Sequence, residues 1–299
     1  MSYDAKILAD SISPAGHRLT TFEVTFPRIV LAEFNTHRVF ARNSASSRAI
    51  PVEKMLRRIV DDPFIPVYWG KNQKGMQAEQ ELTEQEQQIA ASMWRQGLRR
   101  AIETANELLG LGVHKQITNR FLEVGMWHTV IVSATEWGNF FNLRDNNKAQ
   151  PEIHHAADLL HQLFKASKPV ERRRDWHLPL VQPEEMQTHP ETNWVEISAG
   201  RCARVSLLTH DGKRDLVEDT RLHNGLLDNG HMSPLEHPAR PMTPDELVLF
   251  SQRVVEWRRD AWFDTGKRTH FLGNYNGWVQ HRKMIPGEAD IHTYRGTTA

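Results

Sequence analysis

An apolar run that ends abruptly in a burst of charge constrains this chain more than any other feature. Thr36-His37-Arg38-Val39-Phe40-Ala41-Arg42-Asn43-Ser44-Ala45-Ser46-Ser47-Arg48 gathers three guanidiniums, an imidazole, an amide and three serine hydroxyls into one stretch. Arginine offers a planar fork of donors matched to phosphate, and Asn and Ser add short, orientable hydrogen bonds, so the composition suits an anion-binding site. The preceding run, Phe26 to Phe34 with Ile29, Val30 and Leu31, reads as a buried strand that delivers this polar end to a cleft. An exposed basic loop is the other reading of the same residues.

A chain of 299 residues with 39% hydrophobic content can bury one large core or two smaller ones. Its 37 Lys and Arg balance 37 Asp and Glu, which argues against non-specific binding to a nucleic-acid backbone and leaves any anionic ligand to local clusters. The single cysteine excludes an internal disulfide and fits a reducing cytosol. No apolar run approaches the ~20 residues needed to span a bilayer, and Met1 to Asp10 lacks the apolar core of a signal peptide, so a cytoplasmic location is expected.

Ala5 to Ile12 and Leu19 to Phe26 read as strands joined around Pro14-Ala15-Gly16, forming one edge of the sheet that carries the polar stretch. Thr83 with Glu86 makes a capping box for a scaffold helix whose Ile89, Met93, Leu98, Ile102 and Leu109 recur at helical spacing until Gly110 and Gly112 stop it. A second capping box, Thr243 with Glu246 and Pro244 at the first helical position, opens a helix through Val248, Val255 and Trp262. Val130 to Phe141 is dense in Val, Ile, Trp and Phe without a clear period, which leaves strand and core helix open.

The polar stretch resembles the signature of flavin-dependent thymidylate synthases, with His37, Arg38, Asn43, Ser46 and Arg48 in register; Thr36, Ala41 and Ser44 depart from it. Two more blocks extend the resemblance. Gly230-His231-Met232-Ser233-Pro234-Leu235-Glu236-His237 is similar to the family's Gly-His…Glu-His segment and follows Ala203-Arg204-Val205-Ser206, similar to a family strand. Asn139-Phe140-Phe141-Asn142-Leu143-Arg144 with Ala149-Gln150-Pro151-Glu152-Ile153 is similar to a third family run. The family places the Gly-His…Glu-His segment before the signature, whereas here it comes about two hundred residues after, so the chain reads as circularly permuted. Lys168 to Asn193, rich in Pro and charge, is the natural joining segment.

The resemblance implies an α+β fold, an antiparallel sheet with long helices, and a helical Val130 to Phe141. It implies a permuted catalytic domain over residues 1–240, with 241–299 as a carboxy-terminal helix and aromatic tail packed on it. It implies a homotetrameric, FAD-dependent enzyme that moves a one-carbon unit from methylenetetrahydrofolate to C5 of dUMP, with NADPH as reductant. Such chemistry requires holding a phosphate dianion, polarising the ring carbonyls and placing flavin and folate beside C5. By resemblance, Ser46, Arg48 and Arg120 hold the nucleotide and Arg144 meets the uracil ring. His37, Arg38, Asn43 and Asn139 contact flavin, and His237 lies at the flavin and folate face, making Ser46, Arg144 and His237 the catalytic set. Hydroxymethylation of dUMP or dCMP is the alternative within this chemistry, motivated by Ser44 and the permuted order, and a non-catalytic flavin- and nucleotide-binding protein is the second class.

Other features have plainer readings. Cys202 is expected as a buried core residue rather than a nucleophile, although its arginine neighbours would favour a thiolate. His231, Glu236, His237, His154, His155 and His161 match no standard zinc spacing, so no metal is expected. Arg120 and Arg144 have structural alternatives as partners of Glu123 and Asp145. The aromatic tail from Phe271 to Trp278, with Arg282 and Lys283, is a lid, a subunit contact or a strap that buries Trp278.

Overall fold

Two antiparallel strands open the chain: β1 (Asp4–Ile12) turns at Gly16, whose φ of +84° lies where glycine carries no steric penalty, into β2 (Arg18–Pro27). The computed structural model describes residues 2–210, 212, 214–249, 251 and 273–288. With β3 (Ala41–Ser44), β4 (Trp127–Ala134) and the short β5 (Val170–Glu171) these form a five-stranded sheet in the order β3-β4-β2-β1-β5, antiparallel except for the β1/β5 edge. A two-stranded ribbon, β6 (Ala239–Pro241) with β7 (Trp278–Gln280), is separate from it.

The helices with both ends among the described residues are α1 (Leu31–Asn35), α2 (Val52–Asp61), α3 (Glu84–Gly110), α4 (Lys115–Thr118), α5 (Gly138–Arg144), α6 (Pro151–Ala166), α7 (Pro183–Thr188), α8 (Trp194–Ala203) and α9 (Leu216–Asp228). Thr83 and Glu86 cap α3 reciprocally, as their spacing predicts, and Gly112 follows its end with φ +77°. Leu98 is buried and Ile102 packs against a small second core, but Ile89 and Met93 are exposed, so the apolar stripe of α3 is used only in part. The second capping box also forms, with mutual bonds between Thr243 and Glu246; Val255, Trp262 and Phe271 lie outside the described residues.

Strand parity organises the core. Phe22, Val24 and Phe26 of β2 join Val130 and Val132 of β4 on one face, where α5 and α6 supply Phe140, Phe141, Ile153, Ala156, Ala157 and Leu160. The alternate residues, Thr21, Glu23 and Thr25, face the other way and are buried too, under α8 and the segments that follow β5 and α9. There α8 approaches α9 so closely that a Cβ on Gly200 would lie 2.2 Å from the Asp219 carbonyl oxygen. The result is an α+β sandwich with helices over both faces of one antiparallel-rich sheet.

Three local expectations are corrected. The apolar run from Phe26 is not one strand: pairing stops at Pro27, opposite Trp127, and the chain turns through a 3-10 segment at 28–30 into α1. Val130 to Phe141 is not helical throughout but splits between the central strand β4 and helix α5, with Trp137 capping the latter. Ala203 to Ser206 is not a strand; it ends α8 and enters the 3-10 turn Arg204–Leu207.

Candidate active site

Helix α1 stops at Asn35, and the backbone N–H groups of Thr36 and His37 bond back to the carbonyls of Glu33 and Phe34, folding the basic segment against the core. His37 is 7% exposed, its ring edge-on to Phe140 at 5.0 Å, and its Nε2 accepts a 3.0 Å hydrogen bond from Arg144 Nε at the end of α5. Arg144 also donates to Thr36 Oγ1 at 3.2 Å and to the Glu33 carbonyl at 3.4 Å. Burial, reinforced by the Arg144 and Arg42 guanidiniums, holds the His37 pKa down to about 4. The ring is therefore neutral near pH 7, and because Nε2 accepts, the proton sits on Nδ1. Arg38 and Asn139 expose their side chains beside this cluster in sequence. Asp145, the expected structural partner of Arg144, instead faces His161 at 2.5 Å and His154 at 3.5 Å.

At the other end of β3, a strand of four residues and hence roughly 13 Å long, lies a second cluster. Ser46 is half-buried, and its N–H bonds to the Ser206 carbonyl at 3.1 Å while its own carbonyl accepts from Ala49 and Ile50. Asn119 ties the same loop down, donating to the carbonyls of Ser47 at 2.6 Å and Ile50 at 3.0 Å. Arg48 is exposed, and Arg120, with 48% of its side chain exposed, pairs with Glu123 at 2.6 Å. The expected residues thus fall into two groups: His37 and Arg144 at one end of β3, Ser46 and Arg48 at the other, with Arg120 on the segment that anchors the Ser46 loop.

The Gly230–His237 turn packs on β3 itself. Asn43 donates to the Cys202 carbonyl at 2.7 Å, and Ser233 Oγ lies 3.4 Å from Asn43 Oδ1, so this amide fastens the strand to α8 and to the turn. Glu236 takes a 2.5 Å bond from Arg282, yet burial outweighs that attraction and pushes its pKa up. The sequence reading weighs Glu236 only as a metal ligand; a half-buried carboxylate whose field also reaches Arg42 is the kind of group that titrates in functional sites.

His237, expected at the flavin and folate face, is fully buried in this chain, with Nδ1 2.8 Å from Ser133 Oγ. Ser133 continues to Thr21 Oγ1 at 2.5 Å, Thr21 to His177 Nε2 at 2.7 Å, and His177 Nδ1 to Ser11 Oγ at 2.9 Å. These five side chains cross the sheet as one buried polar chain, and burial presses the pKa of both histidines down to about 3. Composition alone could not find Ser133, Thr21 or His177, because each is an ordinary strand or loop residue until the fold juxtaposes them.

Cys202 is fully buried, and burial raises its thiol pKa. The flanking arginines do not serve the sulfur: Arg201 binds Asp219 and Glu185, and Arg204 binds Asp219. No group of three or more His, Cys, Asp or Glu side chains among the described residues is arranged to hold a metal ion. A cleft of about 750 Å³ between Tyr68, Trp69, Trp94 and the start of α6 has none of His37, Ser46, Arg48, Arg120 or Arg144 in its lining. Trp278 is fully buried, its indole N–H donating to the His17 carbonyl at 3.0 Å.

Residues 7–170 match the family model described as thymidylate synthase complementing protein. The chain belongs to the flavin-dependent thymidylate synthase family. Its relatives there include a flavin-dependent thymidylate synthase from Thermosipho africanus, 27% identical over an alignment of 164 residues that covers 52% of this chain and 68% of that protein. Similar solved structures include the UMP/dUMP methylase PolB of Streptomyces cacaoi bound with 5-Br dUMP, at 18% identity and a TM-score of 0.43, covering 55% of this chain and 90% of that one. The same methylase bound with 5-Br UMP aligns at 16% identity and a TM-score of 0.46, over 55% and 89% of the two chains. The chain is a thymidylate-synthase-like enzyme of α+β fold, and the matched residues hold both clusters flanking β3, while the Gly230–His237 turn lies beyond them. No helix among the described residues is long and apolar enough to cross a membrane.

Proposed function

We propose that the enzyme transfers a one-carbon unit from methylenetetrahydrofolate to C5 of dUMP, giving dTMP, with FAD as cofactor and NADPH as the source of electrons. The observation that carries the reading is the 3.0 Å contact of Arg144 with His37, residues of two separate family-like blocks 107 positions apart that meet at one end of the signature strand. Ser46, Arg48 and Arg120 hold the phosphate dianion, for which exposed guanidiniums and a hydroxyl are suited. Arg144, half-buried and oriented by Thr36 and Glu33, faces the uracil ring and stabilises charge on its carbonyls as C5 becomes nucleophilic. Neutral His37 fixes the Arg144 fork through its Nε2 lone pair.

Of the residues assigned to flavin, Arg38 and Asn139 have the open side chains that fit a cofactor, and His37 contributes a ring edge; Asn43 and His237 face inward and are engaged with protein groups. When bound, the flavin supplies the hydride that reduces the transferred carbon to a methyl group. The separation of the Arg144 and Ser46 clusters along β3 supports a site shared between subunits of a homotetramer. Residues 1–240 make up the permuted catalytic unit, supported by the contacts of Ser233 with Asn43 and of Ser206 with Ser46. The enzyme acts in the cytoplasm.

The test is mass spectrometry of the nucleotide after incubating the protein with FAD, NADPH, methylenetetrahydrofolate and either dUMP or dCMP. Methylated dUMP is expected. A hydroxymethylated product would shift the reading to a hydroxymethylase, and an unchanged nucleotide with tightly bound, reducible flavin would make the site a binding module.

A further inference from the structure

Glu123, the ion-pair partner of Arg120, stands where three parts of the chain meet. In the 3-10 turn Asn119–Gly125, residues three apart eclipse one another, so Arg120 and Glu123 share a face and Arg120 Nη1 donates to Glu123 Oε1 at 2.6 Å. The same oxygen accepts from Arg28 Nη2 at 3.2 Å, just past the end of β2, and from Ser47 Oγ at 3.1 Å in the signature loop. Arg28 is itself anchored: its Nη1 lies 3.0 Å from Nδ1 of buried His128, whose pKa burial lowers to about 3 and which is therefore a neutral acceptor. Only 16% of the Arg28 side chain and 25% of that of Glu123 are exposed, whereas Arg120 keeps 48%.

An exposed Arg–Glu pair three residues apart would contribute little by itself. A carboxylate oxygen shared by three donors from three segments is different, because it limits the rotamers of Arg120 and locks the loop that carries Ser46 and Arg48. We propose that Glu123 is the positioning residue of the anion site, holding Arg120 and the Ser46–Arg48 loop in the arrangement that takes the nucleotide's phosphate. The inference rests on the assignment of that cluster to a phosphomonoester and adds what organises it.

The test uses the full-length protein with Glu123→Ala and Glu123→Gln, measuring binding of dUMP, deoxyuridine and inorganic phosphate by calorimetry, with KM and kcat for dUMP. Glu123→Ala is expected to weaken dUMP and phosphate binding roughly tenfold, to raise KM more than it lowers kcat, and to leave deoxyuridine binding unchanged. Glu123→Gln, which keeps an acceptor oxygen, recovers part of the loss. Should Glu123→Ala fail to fold, as read by its melting curve, Glu123→Gln and Ser47→Ala carry the same comparison. Unchanged or tighter dUMP binding in the variants overturns the proposal, the latter by making Glu123 a competitor of the phosphate. Equal losses for dUMP and deoxyuridine also overturn it, by making the role purely structural. A wild-type protein that bound neither dUMP nor phosphate would remove the nucleotide reading and this inference together, whereas wild-type binding with unaffected variants removes this inference alone.

Discussion

Replacing Arg144 with alanine separates two consequences that the structure keeps distinct. Its guanidinium makes three hydrogen bonds, to His37 Nε2, Thr36 Oγ1 and the Glu33 carbonyl, and links the end of α5 to the α1 turn. The last two bonds are long and Thr36 is exposed, so their net contribution is small, while His37 is buried and loses its Nε2 partner. An unsatisfied buried nitrogen costs about 1–3 kcal/mol. For a chain of this size that corresponds to a fall in melting temperature of roughly 2–4 °C per kcal/mol. The kinetic consequence is separate: losing a charge-assisted contact to a ring that gains negative charge removes about 1.5–3 kcal/mol, or roughly 10- to 100-fold in kcat/KM. Thermal melting and steady-state kinetics on the same Arg144→Ala preparation read the two effects independently. A lowered melting temperature with kcat/KM near wild type would refute the substrate role and leave Arg144 as a tie between helices.

Three other perturbations follow from the buried groups. Ser133→Ala leaves both nitrogens of buried His237 without a side-chain partner among the described residues and should destabilise the protein by about 1–3 kcal/mol; an unchanged urea midpoint would contradict the polar chain. His128, His177 and His237 have folded pKa values near 3, below the usual 6.5, so their contribution is complete above pH 6.5 and is lost as pH falls toward 3, because the unfolded chain takes up protons that the native state refuses. The expected slope is up to about 1.4 kcal/mol per pH unit for each ring, and a urea midpoint that stayed flat from pH 7 to pH 5 would count against their being buried and neutral. Cys202→Ala should keep turnover, since the thiol is sealed in the core; loss of activity with an intact fold would restore a nucleophile to the mechanism.

What the sequence shows and what it conceals divide along a physical line. Features fixed by a few adjacent residues are legible: the hairpin turn around Gly16 and the reciprocal caps Thr83–Glu86 and Thr243–Glu246 need only local backbone geometry. The central strand β4 is not, because burial on both faces erases its alternation, and Val130 to Phe141 then shows no period to read. Nor is the end of β2, where apolar residues continue past Pro27 because α1 packs its Phe34 into the same core.

The candidate site obeys the same division. The residue types between Thr36 and Arg48 announce an anion, but which of them reaches a ligand depends on strand parity and on remote cover. In β3, Ala41 and Asn43 pair opposite Ser133 and Ile131 and point toward the layer made by α8, so Asn43 bonds the Cys202 carbonyl from 159 residues away. His237 meets the same layer. Thr21, Glu23 and Thr25 on β2 would read as a solvated face by alternation alone, yet Ser133, His210 and Thr129 satisfy them beneath that cover. A sheet whose second face is polar and still buried can hold polar motif residues as structural fasteners. The motif residues outside that buried face lie before and after the strand, with His37 and Arg144 at one end and Ser46, Arg48 and Arg120 at the other.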